Sequence, residues 1–234
     1  LVSAYVRAGF SKIHIDASMA CGGEPDPSEA TIAARAAELC AVAEAEGGER
    51  LDYVIGTEVP IPGGETEVLD VLAATLPGAV QRTWDLHAQA FSERGLEAAL
   101  DRVVALVVQP GVDFGNAQVF PFVAANAQPL AAAILRLPHA VFEAHSTDYQ
   151  SEDGLAGLVA AHFPILKVGP ELTFAFRQAA IALEHMERAM QPGLPSRLSE
   201  TLRAAMRAEP RDWRAYIAAD EREQAMMLYG LSDR

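Results

Sequence analysis

Glu143 and His145 stand two residues apart in the stretch VFEAHSTDYQ, residues 141 to 150. On a β-strand that spacing puts both side chains on one face. A carboxylate beside an imidazole suits metal chemistry, with His145 as ligand and Glu143 orienting it or acting as a general base. It equally suits a plain hydrogen-bonded pair lining a sheet. Lys167 ends the later stretch ILK, and three roles are open to it. It could form a Schiff base with a ketose or aldehyde, contact a phosphate, or pair with an inward carboxylate such as Glu143 or Glu58. Gly169 and Pro170 open a helix just behind it, and the free N–H groups of a helix N-terminus suit a phosphate. Glu171 in the first turn competes with such an anion. Asp16, at the end of KIHIDAS, is a candidate general base or a structural carboxylate at a strand end. Among the other histidines, only His14 also falls on an expected strand.

These side chains need elements to hold them. Strands are predicted at 12–18, 51–58, 103–110, 140–146 and 165–170, and helices at 28–47, 79–102, 126–137, 152–163, 171–190, 196–208 and 211–228. Ser28 is a plausible N-cap and Gly47 a plausible stop. The alternation of strand and helix predicts a parallel sheet with right-handed crossovers. VVALVVQP is a continuous apolar run of the kind found in parallel strands buried on both faces. Each strand also places polar groups on one face near its C-terminal end: His14 and Asp16, Glu58, Gln109, Glu143 and His145, Lys167. An open sheet covered by helices has little room for so many. A (β/α)8 barrel does, because inward residues at the C-terminal mouth form its active site. The expectation is therefore an α/β TIM barrel, of which residues 1–234 form a single domain holding about the last five βα units, strands 4 to 8. Trailing helices span 196–228, and the N-terminal strands are expected to lie outside this sequence.

The bulk properties exclude several classes. The formal charge of −14 repels nucleic acid and anionic membranes. No apolar run is long enough for a transmembrane helix. Two cysteines, Cys21 and Cys40, are too few for a disulfide framework and are expected as free thiols in a cytoplasmic protein. The paired glycines of IPGGETE, 61–67, do not make a P-loop, and no GxGxxG is present, which argues against a kinase built on those folds.

Taken in order, KIHIDASM, YVIGTEVPIPGGE, VVQPGVDF, VFEAHSTDYQ and LKVGPELTFAFR resemble the non-catalytic subunit of class II D-tagatose-1,6-bisphosphate aldolase, a family that has also carried the label tagatose 6-phosphate kinase. The resemblance spans most of the chain. It implies a TIM-barrel subunit that stabilises and activates a separate catalytic class II aldolase in tagatose 6-phosphate catabolism. It also implies a ketose phosphate as the possible ligand. The catalytic relatives of that family hold zinc with three histidines. His145 falls at the third of these. The second belongs to the stretch QPGVDF, where Val112 stands instead, with Asp113 as the substitute ligand to consider. The zinc site that the resemblance implies is thus partial. An aldolase or epimerase working through His145 and Asp113, and the kinase of the family label, are the alternative activities.

Overall fold

The computed structural model describes residues 1–56, 72–115, 118–137, 139–193 and 196–213. Glu58 and the glycines of 61–67 lie outside the described residues. So does most of the helix expected over 211–228, where only a 3-10 turn at Pro210–Asp212 is described.

Among the described residues, five strands form one parallel sheet: β1 (Lys12–His14), β2 (Asp52–Ile55), β3 (Val103–Val107), β6 (Val141–Ala144) and β7 (Ile165–Leu166), in that spatial order. The order never reverses. A doubly wound sheet has a switch point where the direction turns back; a barrel does not. Between β3 and β6 lies a small antiparallel hairpin, β4 (Asp113–Phe114) with β5 (Val119–Phe120). The strand alternation of the sequence did not anticipate it.

The sheet is curled. β1 and β7 are its two edges, which a flat sheet of this size would hold about 19 Å apart. Yet Lys167 Nζ, one residue beyond β7, lies 2.7 Å from His14 Nδ1 at the end of β1. The result is a half-barrel. Its outer face buries Ile13, Ile15, Tyr53, Ile55, Phe142 and Ala144 under the helices. Its concave face buries Val54, Ala105 and Val107, with Val141 and Ile165 packed against them. Beyond this apolar floor, toward the C-terminal ends of the strands, the same face turns polar at His14, Glu143 and Lys167.

A short helix, α1 (Val2–Arg7), precedes β1, and the crossover helices follow their expected signals. Ser28 caps α2 (Glu29–Gly47) by accepting the N–H of Thr31. Beside Ile32, the buried face of α2 is made of Ala33, Ala36, Ala37, Cys40 and Ala43, small side chains that let the helix lie close to the sheet. Burial pushes the Cys40 thiol up to about 12, and both cysteines are free. The helix expected over 79–102 is two helices, α3 (Pro77–Ser92) and α4 (Glu97–Leu100), because Gly95 at φ +69° breaks the run. Then come α5 (Ala124–Ile134), α6 (Glu152–Ala160), α7 (Pro170–Met190) and α8 (Leu198–Ala208). Arg102 ties a helix to the sheet, donating to the Glu44 carboxylate at 2.6 Å and to the Leu51 carbonyl at 2.6 Å. Gly56 is needed where β2 and β3 approach: a Cβ there would sit 2.8 Å from Val107 Cβ.

Candidate functional site at the mouth of the half-barrel

Glu143 is the centre of the polar mouth. It lies on β6 between Val107 of β3 and Ile165 of β7, and is fully buried. Its Oε1 accepts from His145 Nε2 at 2.9 Å and lies 3.0 Å from His14 Nδ1 and 3.1 Å from Lys167 Nζ. Lys12 Nζ approaches its Oε2 at 3.7 Å. Burial by itself would raise the carboxyl pKa. The His145 hydrogen bond and the Lys167 charge outweigh it and hold Glu143 well below the usual carboxylate range. His145 moves down as well: burial and the Lys167 charge lower it, against the support of Glu143. The group is an ionised carboxylate with a mostly neutral imidazole at its side.

Local structure fixes this arrangement. Lys167 N–H donates to the Ala144 carbonyl at 2.9 Å, and the Lys167 carbonyl accepts from both N–H and Oγ1 of Thr147. Ser146 and Tyr149 hold φ of +52° and +62°, which is uncommon for non-glycine residues. Such strain persists only where surrounding contacts enforce it. Here the buried Asp148 carboxylate enforces it, accepting from the N–H groups of Gly169 at 2.9 Å and Glu171 at 2.8 Å. Glu171 reciprocates by accepting the Tyr149 N–H at 2.6 Å. This clasp welds the loop after β6 to the start of α7.

Several expected site residues meet in space and others do not. Glu143 and His145 share a face as their spacing suggested, and Lys167 meets Glu143, one of the three roles open to it. His14, read from sequence only as an inward strand histidine, joins them as a third donor beside Glu143 and His145. Asp16 stays apart: its Oδ1 accepts from Ser18 N–H at 3.0 Å and Ser18 Oγ at 2.6 Å, the behaviour of a strand-end structural carboxylate. Gly169, expected to face a phosphate, donates its N–H to Asp148. Asp113 is buried on the hairpin, where its Oδ1 accepts the Phe114 N–H at 2.8 Å. Val112 is buried in the apolar core. Gln109 turns back on its own loop, accepting from Gly111 and Val112 N–H. Asp148 was missed; it lies 21 residues ahead of the Gly169–Pro170 helix start, and its own neighbourhood carried no signal of a cap offered to another segment.

Among the described residues, His14, Glu143 and His145 form a group that could hold a metal ion, each offering one ligand atom with all three atoms within 4.8 Å of one another. The donor set fits a divalent cation of the zinc type: two imidazoles and one carboxylate, with room for an open position. Two buried atoms support the fit. His14 Nε2 and Glu143 Oε2 have no hydrogen-bond partner, an expensive condition for polar atoms cut off from water.

The comparisons with known proteins return relatives that carry different activity names. The family model described as D-tagatose-1,6-bisphosphate aldolase subunit GatZ/KbaZ-like matches residues 1–234. A D-tagatose 6-phosphate 4-epimerase of Agrobacterium fabrum is 47% identical over 241 residues, covering 100% of this chain and 57% of that protein. The D-tagatose-1,6-bisphosphate aldolase subunit GatZ of Salmonella typhimurium is 47% identical over 242 residues, with the same coverage of 100% and 57%. The chain thus spans a little over half the length of these relatives. The crystal structure of a "probable tagatose 6 phosphate kinase" from Sinorhizobium meliloti superposes with a TM-score of 0.87 at 44% identity, over 99% of this chain and 57% of that one. A fructose-bisphosphate aldolase of Campylobacter jejuni superposes with a TM-score of 0.50 at 13% identity, over 99% of this chain and 64% of that one, a likeness of fold alone.

Proposed function

The chain belongs to the D-tagatose-1,6-bisphosphate aldolase subunit GatZ/KbaZ-like family, and we propose that the mouth of its barrel is a working site for a phosphorylated ketose of the tagatose series. In this reading a divalent cation on His14, Glu143 and His145 assists chemistry at the C3–C4 bond. The whole protein is then one (β/α)8 barrel, with this chain contributing strands 4 to 8. The observation that carries the reading is the buried three-donor cluster. A scaffold has little use for a fully buried carboxylate ringed by two imidazoles and an ammonium, since apolar groups of similar volume are often as stable or more so.

The cation, when bound, would supply Lewis-acid stabilisation of negative charge developing on the ketose oxygens. The chain's own residues do the rest. His14, Glu143 and His145 supply the donors. Lys167, half-exposed at the rim, offers an ammonium to the anionic end of the substrate. Val54, Ala105 and Val107 close the floor beneath the site to water. One bond reconciles the two reaction names among the relatives. C4 of a 2-ketose is not adjacent to the carbonyl, so its hydrogen is not acidic. Inversion there follows from breaking C3–C4 and remaking it on the other face of the aldehyde. Aldol cleavage breaks the same bond. The reaction proposed is C4 epimerisation of tagatose 6-phosphate, the activity in the name of the Agrobacterium fabrum relative.

A second reading has its own observation. Val112 is apolar and buried where a three-histidine zinc site would need another ligand. This favours a non-catalytic accessory barrel that stabilises and activates a catalytic class II aldolase subunit, acting by linkage through binding only its folded form. The test incubates full-length protein alone with D-tagatose 6-phosphate, and separately with a catalytic class II aldolase subunit and tagatose 1,6-bisphosphate. Appearance of the C4 epimer from the protein alone supports the first reading. Inertness alone, with a rise in the partner's activity and melting temperature, supports the second. ATP-dependent phosphorylation of the substrate overturns both.

A further inference from the structure

Lys167 makes two contacts that are hard to reconcile with a bystander at the rim. Its Nζ lies 2.7 Å from His14 Nδ1 and 3.1 Å from Glu143 Oε1. An ammonium only donates. The shorter contact therefore assigns the lone pair to Nδ1 and the ring proton to Nε2. Nδ1 and Oε1 are then both acceptors, and they lie 3.0 Å apart. Two acceptors that close repel unless a cation sits against both. Here the cation is Nζ.

A metal ion held by His14, Glu143 and His145 needs lone pairs from these same groups. We propose that Lys167 is an internal counter-ion that competes with the divalent cation for the lone pairs of the triad, so that metal binding drives its ammonium off Glu143. The inference rests on the metal reading given above. The side chain is able to make the move, because it is 44% exposed while Glu143 is fully buried. Its backbone stays anchored by Ala144 and Thr147, so only the flexible stem swings. Displacement turns the ammonium toward the open mouth, where an anionic substrate group would meet it. Lys167 is thus a positioning residue whose charge reaches the substrate only after the metal has arrived. Lys12, whose Nζ stands farther off, 3.7 Å from Oε2, is a natural control.

The test uses full-length protein and Zn2+ alone as the probe. Lys167→Met keeps the length of the stem and removes the charge, and is expected to bind Zn2+ about tenfold tighter than wild type. Lys167→Arg keeps the charge and should stay near wild type, and Lys12→Met should change affinity much less. Equal or weaker Zn2+ binding by Lys167→Met overturns the proposal while leaving the metal site standing. Failure of wild type and variant alike to bind Zn2+ overturns the metal reading and this inference with it. A second measurement needs no variant. Saturating Zn2+ should raise the labelling of Lys167 by an amine-reactive reagent in wild-type protein, read by mass spectrometry; unchanged or reduced labelling overturns the proposal.

Discussion

Replacing Glu143 with glutamine keeps the shape of the side chain and removes its charge. In metal-free protein the consequence can be worked from three contacts on Oε1: His145 at 2.9 Å, His14 at 3.0 Å and Lys167 at 3.1 Å. Breaking a fully buried ion pair outright costs about 3–5 kcal/mol, which is the upper bound. A glutamine oxygen still accepts from His145, so that bond weakens from a charged to a neutral one, a loss of about 1 kcal/mol. The acceptor pair on Lys167 loses its charged member. Because Lys167 is 44% exposed, its ammonium rehydrates and recovers most of the cost. A further ~1 kcal/mol reflects the imidazoles repacking around an amide whose N–H groups face other donors. The sum is about 2 kcal/mol of destabilisation, read as a fall in the urea midpoint at unchanged slope for chelator-treated protein. A loss below about 0.5 kcal/mol, the size of an ordinary surface change, or a gain in stability, would refute the reasoning that the charge holds the mouth together.

Three further predictions follow from other parts of the molecule. Asp148→Ala removes a carboxylate that takes two N–H groups at the start of α7 and should cost about 2 kcal/mol, whereas Asp16→Ala removes an exposed carboxylate that accepts from Ser18 two residues on and should cost less than about 0.5 kcal/mol; urea unfolding of the two variants compares them. Gly56→Ala puts a Cβ 2.8 Å from Val107 Cβ and should destabilise by about 1–3 kcal/mol in the same assay. His87 is fully buried, and burial, opposed by its bond to the Thr83 carbonyl, lowers its pKa from 6.5. The unfolded chain therefore binds the proton first, so the stability is fully present above pH 6.5 and is lost as pH falls below it, by up to about 1.4 kcal/mol per pH unit. A His87→Leu variant should lack that part of the slope between neutral and mildly acid pH, and identical slopes would count against the assignment.

Much of the fold was legible because its signals are local. Alternation in KIHID and VFEAH set the inward faces, Ser28 marked a helix start, and the strand–helix rhythm called for a parallel sheet. Short elements were not legible: the hairpin at Asp113–Phe114 and Val119–Phe120 has only two residues per strand, too few for any period to show. The break at Gly95 was hidden inside a run of good helix formers. At the site, Glu143 and His145 announced themselves by spacing on one strand. His14 could not, since its partnership with them depends on the curl that brings residues 14 and 145 together across three intervening strand gaps. Asp148 was invisible for a related reason: a carboxylate capping a helix 21 residues away leaves no pattern in its own neighbourhood.

The measurement that bears most directly on a working metal-dependent mouth is nuclear magnetic resonance of D-tagatose 6-phosphate incubated with Zn2+-loaded full-length protein. It would be run on the wild type, on the wild type with chelator, and on His145→Ala. The account predicts conversion to the C4 epimer by the wild type, its loss on chelation, and a fall of at least about 100-fold in the variant, in line with losing a direct ligand where even supporting residues matter 10–100-fold. No conversion by the wild type, or conversion that His145→Ala leaves undiminished, would contradict it.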